Sequence, residues 1–504
     1  MTVLSRFLTH ALPVPLACAL LLAGCAVGPD YKRPDAPVSE SFKEADAGTP
    51  AWTGDWKPAE PQDALARADW WTVFGDTQLD ALMSQVQVSN QNIKAAEAQY
   101  RQAVASLQAA RAGFFPTVNA QAGASRSRGA SGNTINAQNV SLGATWEIDV
   151  WGRVRRQVEG SEASAQASQA DLASTLLSTQ ATLAQSYFLL RVADAQKALL
   201  DRTVADYQRS LQLVQNQYAA GTAQRSDVLQ SETQLKSAQA QQIDIQVTRA
   251  QLEHAIAVLV GKPPAALTLA AGDFSAAPPR VPAAVPSQLL ERRPDIGAAE
   301  RRMASANAQI GVAQAAYYPT LSLSASGGLT ASTLARWLSL PDRIWSIGGG
   351  LAGTLFDGGL RSAVKAQAVA AYDQTVANYR QTVLGAFQEV EDNLAAQRLL
   401  EQEAVVQNDA LRSAREALAL VNNRYRAGTA GLLDVLTAQT SAYTAERTAL
   451  TITGRQYTAA VVLIKALGGG WHAPGAQAGP AQGGTEQPVS APVSQPASQP
   501  ISRR

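Results

Sequence analysis

The sequence predicts a mainly α fold with a small membrane β part, built from a duplicated helix–hairpin–long helix–helix unit. Three observations carry that reading. The chain repeats itself once, at a spacing of about 205 residues. Two long stretches lack proline, from Thr117 to Lys262 and from Asp342 to Ala473, and an interior proline costs a helix about 3 kcal/mol. Short stretches inside them alternate apolar and polar residues, which is the period of a strand.

The repeat shows as three patches in the same order. Ala112-Gly113-Phe114-Phe115-Pro116-Thr117 recurs 203 residues later as Ala315-Ala316-Tyr317-Tyr318-Pro319-Thr320. Asp149 and Arg153 recur 208 residues later as Asp357 and Arg361. Gln217-Tyr218-Ala219-Ala220-Gly221-Thr222, followed by Asp227-Val228-Leu229, recurs 207 residues later as Arg424-Tyr425-Arg426-Ala427-Gly428-Thr429, followed by Asp434-Val435-Leu436. A period this long marks a duplicated half-fold, not a solenoid of short repeats.

Composition removes several classes of function. Of 504 residues, 46% are apolar and 16% charged, against roughly 25% charged in an average soluble protein. Lys plus Arg is 42 and Asp plus Glu 41, so no net charge points to a nucleic-acid partner. The two cysteines, Cys18 and Cys25, lie near the start, and the histidines are His10, His254 and His472. That leaves no disulfide framework or cysteine zinc site in the body of the chain. With no nucleophile–base pair, metal spacing or phosphate loop, neither an enzyme nor a bound cofactor is expected.

In chain order, residues 1–24 read as a secretory leader: Arg6, the apolar run Ala11 to Leu22, then small residues. Leu22-Ala23-Gly24-Cys25 resembles the bacterial lipobox, in which cleavage leaves Cys25 first and acylated; a plain signal peptide cut nearby is the alternative. Ala26 follows, and in such lipoproteins a residue other than Asp there implies outer-membrane sorting. Residues 25–69 are expected to be an extended segment that wraps the helices. Repeat 1 spans 70–262, with a hairpin over 117–150, and repeat 2 spans 287–468, with a hairpin over 320–356. A Pro/Ala linker, 263–286, lies between them and is read as an equatorial segment. The tail, 469–504, is rich in Gly, Pro, Gln and Ser and is expected to be disordered.

The stretch from about Arg153 to Ala219 predicts one helix roughly 100 Å long at 1.5 Å per residue. Val204, Tyr207, Leu211, Val214 and Tyr218 step by three and four, as do Leu411, Ala414, Leu418, Val421 and Tyr425. That is the seam of helices packed as in a coiled coil. A coiled-coil spacer would show the same seam, but it would have no use for the hairpins.

In the hairpins, Val140, Leu142, Ala144, Trp146, Ile148 and Val150 alternate with Ser141, Gly143, Thr145, Glu147 and Asp149. The partner strand starts at Thr117, and a polar loop is expected from Gly129 to Ala137. In the second hairpin the outgoing strand starts at Thr320, and the return is expected at about Ile347 to Phe356. Between Met303 and Phe356 only Arg336, Asp342 and Arg343 are charged. A soluble hairpin with one buried face would alternate likewise; the charge depletion favours a lipid-facing surface. Four strands cannot close a membrane barrel, which starts at about eight, and open edges in hydrocarbon cost several kcal/mol per unpaired group. The strands must therefore be pooled from several copies.

Cys25-Ala26-Val27-Gly28-Pro29-Asp30-Tyr31-Lys32-Arg33-Pro34 resembles the mature start of outer-membrane efflux lipoproteins of the TolC/OprM/NodT type. Trp70-Trp71-Thr72-Val73-Phe74-Gly75-Asp76 resembles the opening of their first helix, and Leu289-Leu290-Glu291-Arg292-Arg293-Pro294-Asp295-Ile296 that of their second repeat. The resemblance implies a homotrimer with a twelve-stranded β-barrel continued by a twelve-helix periplasmic α-barrel. It also implies a periplasmic adaptor (membrane fusion) protein and an inner-membrane efflux transporter, commonly proton-driven, as partners. The function implied is a passive exit duct. An exit duct of a type I protein-secretion system and a non-transport coiled-coil envelope lipoprotein are the alternatives.

Within that resemblance, Arg424 to Leu436 matches the segment that shuts the periplasmic end. Leu433 aligns with a constriction leucine, and Asp434 beside it could form a threefold acidic ring. Arg424 and Arg426 are candidate latch donors, with Tyr425 as a packing or hydroxyl partner. Relatives carry an acid one turn after the leucine, where this chain has Thr437. Asp434 and its repeat partner Asp227 could equally be helix caps. Gly221, Thr222, Gly428 and Thr429 form the turns that would receive the adaptor.

Overall fold

The structure, a computed structural model, describes residues 26–36, 42–44, 69–128, 134–272, 293–331 and 343–469, with residues 130, 132 and 279. The expected leader, Cys25, parts of the 25–69 and 263–286 segments and nearly all of the tail lie outside the described residues.

After a 3-10 turn, Trp70–Phe74, repeat 1 gives α1 (Thr77–Ser89), α2 (Gln91–Ala112), β1 (Thr117–Arg128), β2 (Thr134–Ile148), α3 (Arg153–Ala219) and α4 (Arg225–Leu259). Repeat 2 gives α5 (Pro294–Ala315), β3 (Thr320–Ala331), β4 (Arg343–Ala352), α6 (Leu360–Arg426) and α7 (Leu432–Ala466). The duplication is visible in helix lengths: α2 and α5 have 22 residues, α3 and α6 have 67, α4 and α7 have 35. No helix among the described residues is long and apolar enough to cross a membrane.

The repeated aspartates start the long helices. Asp149 accepts the backbone N–H groups of Val154 (2.9 Å) and Arg155 (2.8 Å), and Asp357 accepts those of Gly359 (3.0 Å) and Arg361 (3.2 Å). These are the orphan donors that a helix start must satisfy. Gly152 and Gly359, at φ +78° and +94°, supply the left-handed step before each helix.

The helices form one layer in two halves. Next to the sheet the order is α2–α3–α5–α6; toward the far end it is α4–α3–α7–α6. Small residues allow close approach. A Cβ added at Gly160 of α3 would sit 3.4 Å from Ala308 Cβ of α5, and one at Gly454 of α7 only 2.8 Å from Val192 of α3. The main core lies at mid-height, where Trp70, Leu79, Met83, Tyr187, Leu190 and Ile464 are buried together. Phe188 packs at a tilt against Phe74 (4.8 Å) and Tyr457 (4.5 Å) there. Buried ion pairs close its flanks: Arg191 and Arg249 both meet Asp194, at 2.9 and 2.7 Å. Toward the far end the apolar packing thins to small clusters such as Val204, Tyr207, Leu235 and Ala238. Of the first seam, Tyr218 is exposed; all five residues of the second are half-buried in the single chain.

The sheet is antiparallel, in the order β1-β2-β3-β4. Its register sorts the side chains onto two faces. One carries Leu142, Trp146, Leu323, Trp345, Ile347 and Leu351. The other carries Asn119, Thr145, Ser322, Ser324 and Ser346, and there Ser326 and Ser346 share a hydrogen bond of 2.8 Å. Trp345 and Ile347 are 79% and 77% exposed, so no described residue covers the apolar face at β4. Two strand limits differ from the sequence reading. β2 begins at Thr134, inside the expected loop, because Thr134 and Asn136 pair with Arg128 and Arg126 through a backbone ladder that needs no apolar side chains. β4 runs Arg343–Ala352, four residues earlier than expected. Its register on β3 begins at Arg343–Leu329, and Gly358 and Gly359 turn the chain away into α6.

Residues 26–36 form a strap over the start of α3 and over α5 and α6. The Val27 N–H donates to the Trp151 carbonyl (3.1 Å). Buried Arg156 reaches Asp30 (2.8 Å), Asn307 donates to the Pro29 carbonyl (2.9 Å), and Arg33 to the Tyr379 hydroxyl (3.1 Å). Further along, the Lys43 and Glu44 N–H groups both donate to Glu391.

Candidate functional site

The far end of the layer consists of two matched helix–turn–helix tips. In tip 1, Ala220 closes α3, Gly221 takes φ +73°, and Thr222 turns back: its N–H and Oγ1 both donate to the Gln217 carbonyl, at 2.9 and 3.0 Å. In tip 2, Gly428 takes φ +72°, and Thr429 donates in the same two ways to the Arg424 carbonyl, at 2.9 and 3.1 Å. Glycine is required at these two places because an L side chain is strained at such φ. The threonines satisfy helix-end carbonyls that would otherwise be orphaned, so each tip is held by its own bonds.

Each following helix opens with an aspartate. Asp227 accepts the Gln224 N–H (3.1 Å), and Asp434 accepts the Gly431 N–H (3.0 Å). Both carboxylates therefore cap α4 and α7. Leu433 is 64% exposed and shares the wall of an open groove between α4 and α7. The groove, about 950 Å³, is lined also by Leu229, Gln234, Thr437, Thr440 and Thr444. Thr437, one helical turn on from Leu433, donates to the Leu433 carbonyl (2.8 Å). Arg424 donates to the Thr429 carbonyl (3.3 Å), and Arg426 is exposed.

The two tips are joined by a bond that sequence reasoning missed. The Tyr425 hydroxyl donates to Gln217 Oε1 at 2.8 Å, linking tip 2 to tip 1. Above it lies a ladder of polar bridges between the repeats. Gln234 of α4 donates to the Tyr207 hydroxyl of α3 (3.1 Å) and to Thr440 of α7 (2.7 Å). Tyr443 of α7 meets Gln241 of α4 at 2.8 Å, and burial raises its pKa despite the nearby Arg447. Glu446 of α7 then holds one arginine from each long helix, Arg202 at 3.0 Å and Arg415 at 2.6 Å. The one available signal was the repeat itself, which sets Gln217 and Tyr425 into equivalent turns.

Among the described residues, no group of three or more His, Cys, Asp or Glu is placed to hold a metal. The arrangement offers two tips, each held by its own hydrogen bonds and tied to the other by Tyr425 and Gln217, beside a hydroxyl-lined groove.

The profile of the outer membrane efflux protein family matches residues 82–262 and 285–469. The chain is 31% identical over 477 residues to the antibiotic efflux pump outer membrane protein ArpC of Pseudomonas putida, covering 91% of this chain and 96% of that one. It is 29% identical over 463 residues to the cation efflux system protein CusC of an Escherichia coli O6:H1 strain, covering 91% and 98%. The solved outer-membrane channel OprN superposes with a TM-score of 0.80 at 31% identity, covering 89% of this chain and all of that one. With both repeats matched and near full-length coverage, the chain belongs to the outer membrane efflux protein family.

Proposed function

We propose that this chain is one third of an outer-membrane exit duct in a tripartite efflux pump: a homotrimer that pools strands into a twelve-stranded barrel and helices into a twelve-helix periplasmic tunnel. The observation that carries this is the sheet. It has one apolar face, one hydroxyl-rich face and two open edges, β1 and β4. In lipid those edges are tolerable only if β4 of one copy pairs with β1 of the next. With four alternating strands per copy that pairing is antiparallel throughout, and the head-to-tail contact closes as a ring. The apolar face then meets lipid and the Ser/Thr/Asn face lines a wet bore.

The duct is passive. An inner-membrane transporter supplies energy and selection, and a periplasmic adaptor seats on the turns around Gly221, Thr222, Gly428 and Thr429, which their own hydrogen bonds keep in shape. The tips close the resting duct. Leu433 and Asp434 from three copies narrow it, with Asp227 in the equivalent place on the neighbouring tip; Tyr425 ties the two tips of one chain, and the exposed Arg424 and Arg426 are the latch donors toward neighbouring copies. Acylated Cys25 anchors the chain. Ala26 supports this, since it packs against Gly152, where a Cβ would fall 2.9 Å from the Ala26 Cα, directly beside the sheet boundary. The cargo is open, since related ducts serve antibiotics in one case and cations in another.

The test is assembly and conductance together. Full-length protein extracted from outer membranes is expected to have three times the chain mass and to form channels in planar bilayers. A stable monomer in lipid would overturn the reading. A deletion strain is expected to become susceptible to at least one of a panel of antibiotics, dyes, solvents and metal salts.

A further inference from the structure

The hairpins place their charges unevenly. In β1 and β2 the charged residues are Arg126, Arg128 and Glu147; in β3 and β4 the described charge is Arg343. Glu147 is on the polar face at the helix end, held by Arg153 at 2.8 and 2.7 Å. The three arginines are at the opposite end, beside the hairpin turns. The register sets all three on the apolar face. Arg343 follows Ile347 and Trp345 along β4 in steps of two, and it is level with Leu329, Val140 and Ala122. Arg126 and Arg128 continue the row Val118, Ala120, Ala122, Ala124 along β1. All three are exposed, and no acidic side chain shares that face among the described residues.

Arginines at this position are costly unless they meet water or an anion, because the same face is otherwise built for hydrocarbon. They sit at its rim, 9 to 11 residues or about 30–36 Å of strand away from the helix end. At a strand tilt of about 35–45° that is about 21–30 Å along the membrane normal, the height of the lipid-facing band of a membrane barrel. β1 and β4 are also the two edge strands. In the closed ring of the proposed function, on which this inference rests, Arg343 of one copy and Arg126 and Arg128 of the next flank the same seam.

We propose that these three arginines form a binding site for the phosphate groups of an outer-leaflet glycolipid, one site at each subunit seam. The acyl chains lie on the apolar face below, and the phosphates accept charge-assisted hydrogen bonds from the guanidinium groups, for which arginine is the suited cation. The lipid thereby bridges two copies where only strand pairing otherwise joins them.

The assembled full-length channel, exchanged into maltoside detergent, is titrated with hexa-acylated lipid A bearing two phosphates, with the same lipid stripped of both phosphates, and with inorganic phosphate. Native mass spectrometry reads bound lipid and subunit number together. The parent is expected to retain the phosphorylated lipid. Changing Arg126→Gln, Arg128→Gln and Arg343→Gln together is expected to weaken retention roughly a hundredfold, or about fivefold per arginine. The triple Lys variant, which keeps the charge, is expected to stay within about tenfold of the parent. Equal retention of both lipids by the parent overturns the proposal, as does undiminished retention by the Gln variant. Full displacement of the lipid by inorganic phosphate overturns the lipid as the source. If the Gln variant does not assemble, the parent and Lys variant with the two lipids still decide. A monomeric parent would sink the closed ring itself, whereas an assembled parent indifferent to the phosphates sinks only this site.

Discussion

Replacing Tyr425 by Phe removes one hydroxyl and leaves the ring. The hydroxyl's partner, Gln217 Oε1 at 2.8 Å, belongs to the other tip of the same chain, so the substitution weakens the tie between tips without disturbing either turn. Both side chains are half-buried, and a neutral hydrogen bond of this kind is worth about 1 kcal/mol net. If each tip moves alone, the released state becomes about fivefold more populated. If three copies release together, the loss is about 3 kcal/mol and the open fraction rises roughly a hundredfold. Single-channel recordings of open probability separate the two cases, and entry of a bulky antibiotic into a strain lacking the parent protein gives the cellular counterpart. Gln217→Leu is expected to produce the same rise, and the double variant no more than either alone. Unchanged open probability in Tyr425→Phe, or full additivity with Gln217→Leu, would refute the assignment of this bond to closure.

Three further outcomes are expected. Ile347→Arg should cost about 2–4 kcal/mol per copy and block membrane assembly, while Ser346→Arg, one residue along and on the polar face, should assemble and alter conductance; heat-resistant oligomer on gels reads both. Burial would raise the carboxyls of Asp295 and Glu389, but hydrogen bonds and charge from Arg293, with Lys465 at Glu389, hold both below their usual values. Depressed carboxylates stabilise above their unfolded pKa and lose that contribution as pH falls through the folded one. Thermal unfolding should accordingly be level down to about pH 5 and fall below about pH 4, with the fall reduced in Arg293→Met. Gly454→Ala places a methyl 2.8 Å from Val192 and should destabilise by about 1–3 kcal/mol in denaturant titration; a neutral result would mean that α3 and α7 separate freely at that height.

The long helices were legible because their evidence is one-dimensional. Absence of proline, a three-and-four seam and a repeated Asp–Arg pair at each start are local facts, and α3 occupies the range read from them. The sheet faces were legible for the same reason, since alternation survives whatever the strands pair with. Strand ends were not, because Thr134 and Asn136 join β2 through backbone groups that no side-chain pattern reports. The ties across the tips were also hidden. Gln217 and Tyr425 lie 208 residues apart, and Glu446 draws its two arginines from helices of different repeats. Such contacts depend on which helix lies beside which, an order that no pattern within a single helix reports.

The mid-height aromatic core has a mechanical consequence. From Tyr457 to the start of α7 at Leu432 is 25 residues, a lever of roughly 38 Å. Swinging the free end by about 5 Å needs a rotation of only about 8° at that collar. The cluster with the most buried side chains among the described residues stands between such a swing and the sheet, so a hinge at this collar would let the tips move while the strands stay where they are.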